Sequence, residues 1–204
     1  TDPSGASVSS LFGGLFSDPD ASYTPADTLS GIVVTADNSS GAEGEWQYST
    51  DSGTSWHSIG AVSDASGLVL NDTAQLRFVP VAEYSGTPGS LSVRAVDSTY
   101  SGSFTNGAGR VAYDTAVSGG NTSISAAAVA LNTSVSAVND DPSATGVPVG
   151  PITTLEDIAV DIDLSSLTLS DIDSDAAAIS LKIVAASGAL TASAIPGITV
   201  TGSG

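Results

Sequence analysis

The sequence predicts an all-β fold: an antiparallel β-sandwich module followed by part of a second one. Ser, Thr, Gly, Ala, Val and Asp dominate the 204 residues, whereas the strong helix formers Lys, Arg, Gln and Glu are scarce. Short apolar runs also recur between clusters of turn-forming residues, at the spacing typical of a sandwich.

The first part of the chain contains most of the predicted strands. Residues 7–16 predict a short helical turn or an irregular strand. Strands are then expected at 31–36, 45–49, 55–59, 68–70, 76–79 and 91–95. The second and third of these flank a five-residue polar turn and predict a hairpin. Residues 98–122 predict a long loop, and 123–138 one long or broken strand that ends in the alternating run Val135–Val138.

Composition shifts predict the domain boundaries. Residues 1–141 form the first module, 142–152 form a linker rich in Pro and Gly, and 153–204 form the second module. Only four strands are predicted there (159–164, 179–185, 188–192 and 198–201), so that module is expected to be incomplete. The run 15–20 matches 168–173 at an offset of 153 residues, which indicates tandem repeats. By this register, the first module is expected to lack its opening strand.

The net charge indicates which classes of molecule this chain can bind. Only four residues are basic and 22 are acidic, which gives a net charge of −18. Nucleic acid and anionic membranes are therefore excluded as expected partners, whereas metal cations are favoured. No stretch is apolar enough to insert into a membrane. Because cysteine is absent, no disulfide can stabilise the fold, and calcium is the expected substitute.

Clustered carboxylates and amides provide the candidate calcium ligands. Calcium prefers six to eight oxygen ligands, and the D-x-D-x-D spacing of Asp171, Asp173 and Asp175 lets alternate side chains converge from a turn. Asp18 and Asp20 occupy the matching positions of the first module. The candidate metal ligands taken from the residues themselves are Asn139, Asp140, Asp141, Glu156, Asp171, Asp173, Asp18 and Asp20. The alternative is that these residues only cap turns.

The predicted hairpin contains two further candidate sites. Its turn reads S-x-D-x-G-x-S-W from Ser49 to Trp56, the pattern of an Asp-box, in which the Asp caps turn amides and Gly takes a positive φ. Trp46, Tyr48 and Trp56 are compatible with a sugar-binding platform, although core packing is the favoured interpretation. His57 is expected to be an exposed surface residue, and nothing places a catalytic nucleophile near it.

A family resemblance covers nearly the whole chain. The runs 44–56, 60–64, 76–80 and 94–97, closed by Val138-Asn139-Asp140, resemble the cadherin-like or Ig-like tandem repeats of large RTX-type bacterial surface adhesins. Residues 154–204 resemble the opening of another such repeat. The resemblance implies extracellular β-sandwiches with calcium at the module junctions. In that family an early Glu, a D-x-N-D linker and a mid-domain Asp pair share the ions. The resemblance implies that Glu156, Asn139-Asp140 and the pair Asp171 and Asp173 take these roles, with Asp97 as a further ligand. Ser136 stands where the first linker Asp would be.

The expected function is that of a non-catalytic, calcium-stiffened module of a secreted or surface-anchored bacterial protein, acting in adhesion, extension or biofilm matrix. Its expected partners are neighbouring repeats or identical chains, and cell-surface glycans. Two alternatives remain open. One is a fibre subunit completed by strand exchange between chains, and the other is a carbohydrate-binding module.

Overall fold

The computed structural model describes residues 2–17, 26–173, 178–184, 188–193 and 199. The chain divides into two compact units, Thr1–Ala137 and Val138–Gly204, here called unit 1 and unit 2. The predicted boundaries at 141 and 152 remain predictions. The elements are β1 (Ala6–Ser7), α1 (Val8–Phe12), β2 (Leu29–Asp37), β3 (Gly44–Ser49), β4 (His57–Ser58), β5 (Gly67–Asn71), β6 (Gln75–Pro80), β7 (Leu91–Asp97), β8 (Ala112–Tyr113), β9 (Val129–Leu131), β10 (Ser143–Thr145) and β11 (Thr168–Ser170).

Unit 1 is an antiparallel β-sandwich, as predicted. One sheet has four strands in the order β1-β6-β3-β4, and the other has five in the order β8-β5-β2-β7-β9. Every pair of neighbouring strands is antiparallel. The predicted hairpin is confirmed, since Tyr48 pairs with His57 across the polar turn. The helical alternative for the start of the chain is also confirmed, because α1 begins at Val8 with Ser7 as its N-cap.

The main core lies between the two sheets. Alternate residues of each strand point inward, so Ile32 and Val34 of β2 and Leu68 of β5 pack against Trp46 and Tyr48 of β3. Tyr48 is 1% exposed and its hydroxyl donates to the carbonyl of Gly107 at 3.0 Å, which satisfies the buried polar atom. This packing is the hydrophobic term that stabilises the sandwich.

The outer face of the five-stranded sheet has a second, smaller core. Val33, Val69, Val96 and Ile124 are buried there, with half-buried aromatic residues around them. The covering segment is the predicted loop of residues 98–122 together with the residues that follow it. It contains only the two-residue strand β8, yet it buries Thr105 and Thr115. The central strand β2 is therefore buried on both faces.

The predicted strand at 123–138 is broken, and its last part is not a strand. Ile124 bridges Val96, β9 pairs with β7, and Val135 bridges Gly86. The segment thus runs antiparallel to residues 86–97 with interruptions. Val138, predicted to end this strand in a half-buried sheet, is 78% exposed and outside any strand. The alternation of apolar and polar residues does not produce a strand at 136–138, because these residues pair with no other strand.

The strands of unit 2 differ more from the prediction than those of unit 1 do. Its strands in the described residues are β10 and β11, which pair with each other. β10 lies within the predicted linker, and the predictions at 159–164, 179–184 and 188–192 are wrong because those residues form no strand. The prediction at 198–201 and residue 185 fall outside the described residues, apart from Thr199. None of the described residues of unit 2 is buried, so its apolar alternation lacks the packed layer that a strand needs.

Candidate metal site

The pairing of β10 with β11 brings two acidic segments of unit 2 together. Ser143 pairs with Ser170 in antiparallel register, so the residues before β10 and those after β11 lie at the same end of this sheet. The backbone N–H of Asp140 donates to Oδ2 of Asp173 at 3.0 Å. The structure therefore brings together two parts of the predicted ligand set that are 33 residues apart in sequence.

The carboxyl groups of Asp171 and Asp173 behave as a pair. The hydrogen bond from Asp171 to Asp173 raises the pKa of Asp171, and the negative charges of Asp173 and Asp140 add to that effect. The same hydrogen bond, together with the backbone N–H of Asp140, lowers the pKa of Asp173. The two opposite shifts share their largest cause, which is the hydrogen bond between the two carboxyl groups.

An open depression of about 460 Å³ lies beside this pair. Asn139, Pro142, Asp171 and Asp173 line one part of it, and residues 178–180 line the rest. The side-chain amide of Asn139 donates to the carbonyl oxygen of Asp140 at 2.9 Å, which holds the amide at the rim. The donor atoms at this end of unit 2 are carboxylate, amide and carbonyl oxygens, the type that calcium prefers.

The oxygen atoms of this site are of the type that binds a hard cation, but few of them come from carboxylates. Among the described residues, no three Asp, Glu, His or Cys side chains lie close enough together to hold a metal ion. The Asp171–Asp173 pair is therefore the carboxylate contribution, and the remaining oxygens of a six- to eight-coordinate site would come from Asn139, backbone carbonyls and water.

The other predicted ligands lie elsewhere or do not join the pair. Asp97 is at the end of β7 in unit 1, where its Oδ1 accepts from the backbone N–H and the hydroxyl of Thr99 at 2.8 and 2.6 Å. It caps a turn, which is the alternative the sequence left open. Glu156 and Asp141 are exposed in unit 2. Asp18, Asp20 and Asp175 lie outside the described residues. The metal roles of all these residues stay predictions.

The Asp-box turn has the structure that its sequence predicts. Oδ1 of Asp51 accepts from the backbone N–H of Ser55 at 2.9 Å, and Oδ2 accepts from the Ser55 hydroxyl at 2.6 Å. These bonds, with one from Ser49, lower the pKa of Asp51 to about 2. Gly53 has a φ of +85°, and its carbonyl accepts from the indole N–H of Trp56. The role of this constellation is to fix a hairpin.

The aromatic residues near the hairpin do not form a surface platform. Trp46 is 3% exposed and Tyr48 is 1% exposed. Both belong to the core, which confirms the prediction that they pack inside the module. Trp56 is half-buried beneath the guanidinium of Arg77, which lies 4.2 Å from its ring centroid. His57 was expected to be exposed, but it is half-buried and its ring packs against Tyr48 at 5.4 Å.

Comparison with profiles of known protein families, with curated proteins and with solved structures finds no match to this chain. The resemblance to adhesin repeats therefore stays a prediction. No helix in the described residues is long and apolar enough to cross a membrane.

Proposed function

We propose that this chain is a non-catalytic module of an extracellular bacterial adhesin-type protein, and that the end of unit 2 next to β10 and β11 binds calcium. The observation that carries the proposal is the Asp171–Asp173 pair, held against residues 139–140 by the Asp140–Asp173 hydrogen bond. The net charge of −18 and the absence of cysteine support it, because both favour a cation as the stabilising element.

The proposed effect of calcium is mechanical. Residues 139–141 are among the first of unit 2, and the carboxylates that face them belong to the end of β11. Oxygens from both segments on one ion would hold the start of unit 2 onto β11 more firmly than the single hydrogen bond does. Without the ion, repulsion between neighbouring carboxylates loosens this end.

The first experiment is isothermal titration of the EDTA-stripped chain with calcium. Because the site has two carboxylates and open access to water, we expect a dissociation constant on the order of 10⁻⁴–10⁻³ M, the range of extracellular modules. The double substitution Asp171→Asn and Asp173→Asn should abolish the heat of calcium binding. The matched control is Asp157→Asn with Asp161→Asn, which removes the same charge from exposed positions of unit 2 and should bind as the parent does.

Proton release provides an independent readout. The raised pKa of Asp171 means that the pair retains its proton at a higher pH than an ordinary carboxyl does, so a cation must displace that proton. We expect calcium affinity to fall as the pH is lowered through the range in which Asp171 protonates. Titrations in buffers of different ionisation enthalpy should show that protons are released when calcium binds in that range. Affinity that does not fall as Asp171 becomes protonated would count against the assignment.

One observation favours the fibre subunit as a second candidate. Exposed large apolar residues are concentrated in unit 2, namely Val138, Val147, Val149, Ile152, Leu155, Ile158, Val160, Ile172, Leu181, Ile183 and Val184. Surfaces of this kind are usually covered by a partner, and strands from identical chains would cover them by exchange. Light scattering separates the candidates: head-to-tail exchange gives an open series of assemblies, whereas the calcium-binding module alone gives discrete particles.

A further inference from the structure

A single asparagine of this chain directly precedes a glycine. Of the six asparagines, only Asn106 has glycine, Gly107, as the next residue. The backbone nitrogen of the next residue can attack an asparagine side chain, and glycine hinders this attack least because it has no Cβ. A Cβ built on Gly107 would meet no atom within 4 Å. The turn that contains both residues is therefore sterically open to this attack.

The side chain of Asn106 is exposed, and no hydrogen bond holds its amide within the part of the chain that the structure describes. Other asparagines use their side chains to fix turns. The amide nitrogens of Asn38 and Asn139 each donate to a backbone carbonyl at 2.9 Å. Oδ1 of Asn71 accepts from a backbone N–H at 2.8 Å. The amide of Asn106 is thus free to turn towards the nitrogen of Gly107.

Both backbone groups of Gly107 are held by the hairpin of the four-stranded sheet. The N–H of Gly107 donates to Oγ1 of Thr50 at 2.8 Å, and its carbonyl accepts from the Tyr48 hydroxyl at 3.0 Å. Tyr48 is buried in β3, and Thr50 directly follows the end of this strand. The two bonds connect the covering segment of the five-stranded sheet to the hairpin. They also occupy the nitrogen that would attack Asn106.

We propose that Asn106 is a site of spontaneous deamidation, and that the hydrogen bond from Gly107 to Thr50 limits its rate. The backbone nitrogen of Gly107 bonds to Cγ of Asn106 while the bond from Cγ to the side-chain nitrogen breaks. The displaced nitrogen leaves as ammonia and takes with it the proton of the Gly107 N–H. One water molecule then opens the resulting cyclic imide at either carbonyl, which yields aspartate or isoaspartate. No oxidation or reduction occurs, and the chain is not cleaved.

The contact with Thr50 opposes the first step for a chemical reason. The attacking nitrogen loses the hydrogen atom that Oγ1 of Thr50 accepts, so this hydrogen bond must break before the imide forms. A single neutral hydrogen bond corresponds to a factor of about threefold to tenfold in an equilibrium constant. The folded chain should therefore react slowly, from the fraction of molecules in which the turn has opened locally.

The isoaspartate product changes the covering segment irreversibly. Its main chain runs through the former side-chain carbon and has an additional atom between residues 106 and 107. The contacts of Gly107 with Thr50 and Tyr48 then no longer fit together. Either product also adds a carboxylate to a chain whose net charge is already −18. The module thus contains a slow, one-way change that loosens the segment over its five-stranded sheet.

The test is prolonged incubation of the full chain at mildly alkaline pH, followed by digestion after arginine and mass spectrometry. Cleavage at Arg94 and Arg110 releases residues 95–110, in which Asn106 carries the only side-chain amide. We expect this peptide to gain the mass difference between NH and O, and to gain it faster when the chain is unfolded in guanidinium chloride. No mass change in either state would overturn the proposal. Equal rates in the two states would refute the protection by the fold.

Matched substitutions in the hairpin turn test the role of Thr50. Thr50→Val removes the acceptor at nearly equal volume and should speed the reaction of the folded chain about threefold to tenfold. Thr54→Val is the control, because the Thr54 hydroxyl donates to the backbone carbonyl of Asp51 instead. Thr50→Ser keeps a hydroxyl and should react at nearly the parent rate. Equal rates in the two valine variants would contradict the role of Thr50.

Unfolded chains provide the reference for these variants. In guanidinium chloride all of them should react at the parent rate, since the contact with Thr50 exists only in the fold. If Thr50→Val does not fold, Thr50→Ala removes the same acceptor and is compared with Thr54→Ala. A difference between variants that persists in the unfolded state would contradict the assignment to this contact.

The product itself tests the structural consequence. Anion exchange separates the modified chain by its added negative charge. The isoaspartate form should melt below the parent and exchange the amide hydrogens of residues 98–122 faster. Asn106→Asp is the control, because it adds the charge without lengthening the main chain. If the isoaspartate form and Asn106→Asp behave alike, the contacts of Gly107 do not hold the covering segment, and the proposed loosening is wrong.

Discussion

At the scale of single residues, the hairpin turn shows how one carboxylate organises its neighbours. Asp51 accepts from both the backbone and the hydroxyl of Ser55, and a third bond comes from the hydroxyl of Ser49 at 2.7 Å. These donors favour the ionised form, so the pKa of Asp51 falls to about 2. A lowered pKa stabilises the fold above the unfolded-state pKa, and that stabilisation is lost as the pH falls through the folded-state value.

The first prediction concerns the largest contributor to this shift. Ser55→Ala removes the hydroxyl that donates to Oδ2 and should raise the pKa of Asp51 from about 2 towards its ordinary value of 3.8. Carbon-detected NMR titration of the carboxyl measures this directly. The control is Thr54→Ala, because the Thr54 hydroxyl donates to the backbone carbonyl of Asp51 and not to its carboxylate. Equal shifts in both variants would refute the assignment.

The second prediction follows from the sign of the shift. Asp51→Asn should lower the melting temperature most near neutral pH, where the carboxylate is ionised, and the difference from the parent should vanish below about pH 2. Acid titrations of thermal unfolding measure this. A difference that stays constant down to that pH would show that the carboxylate charge is not what stabilises the turn.

At the scale of elements, a segment with little regular structure covers the outer face of the five-stranded sheet. Arg94 of β7 and Asp64 form an ion pair at 3.3 Å, and Arg94 also donates to the carbonyl of Ser125. Asp64 in turn accepts from the Thr115 hydroxyl at 3.0 Å. The surface pair contributes little by itself, so the segment is held mainly by burial of Ile124 among Val33, Val69 and Val96.

The third prediction tests that burial. Ile124 is 1% exposed, and Ile124→Ala should lower the free energy of unfolding by about 2–5 kcal/mol through lost burial and a residual cavity. Urea denaturation measures it. Val117→Ala is the control in the same segment, because Val117 is 72% exposed and its truncation should change stability by less than about 0.5 kcal/mol. If the two substitutions lowered the free energy of unfolding by similar amounts, the segment would not pack on the sheet as described.

At the scale of the whole molecule, charge of one sign dominates. A net charge of −18 over 204 residues favours solubility but destabilises the compact state through self-repulsion. Only two ion pairs occur among the described residues, Arg77–Asp2 and Arg94–Asp64. Most carboxylates are therefore balanced by solvent ions and not by protein cations.

The fourth prediction follows from this imbalance. Raising sodium chloride from about 0.01 M to about 1 M shortens the screening length from roughly 30 Å to roughly 3 Å and should raise the melting temperature. Calcium chloride at equal ionic strength should raise it further in the parent, but not in the variant with Asp171→Asn and Asp173→Asn. A melting temperature that is insensitive to salt would contradict the role assigned to self-repulsion.

The sequence by itself determined the class of fold, the hairpin, most strands of unit 1 and the chemistry of the Asp-box. These depend on local properties, namely alternation, turn residues and side-chain bonds that span a few positions. It also identified Asp171 and Asp173 as candidate ligands from their spacing alone.

Only the tertiary structure decided which alternating runs become strands and which acidic segments meet. Residues 159–164 alternate as well as any strand of unit 1, but a strand also needs a partner and a layer to pack on, and neither is encoded locally. The contact between Asp140 and Asp173 depends on the register of β10 with β11, and β10 lies in a stretch whose proline and glycine content indicates a linker. The covered outer face of β2 depends in the same way on Thr105, whose sequence neighbours predict only a loop, and on Ile124, which lies in a predicted strand whose partner the sequence does not identify. The local sequence determines which secondary structure a segment favours, whereas pairing with distant segments determines whether the segment adopts it.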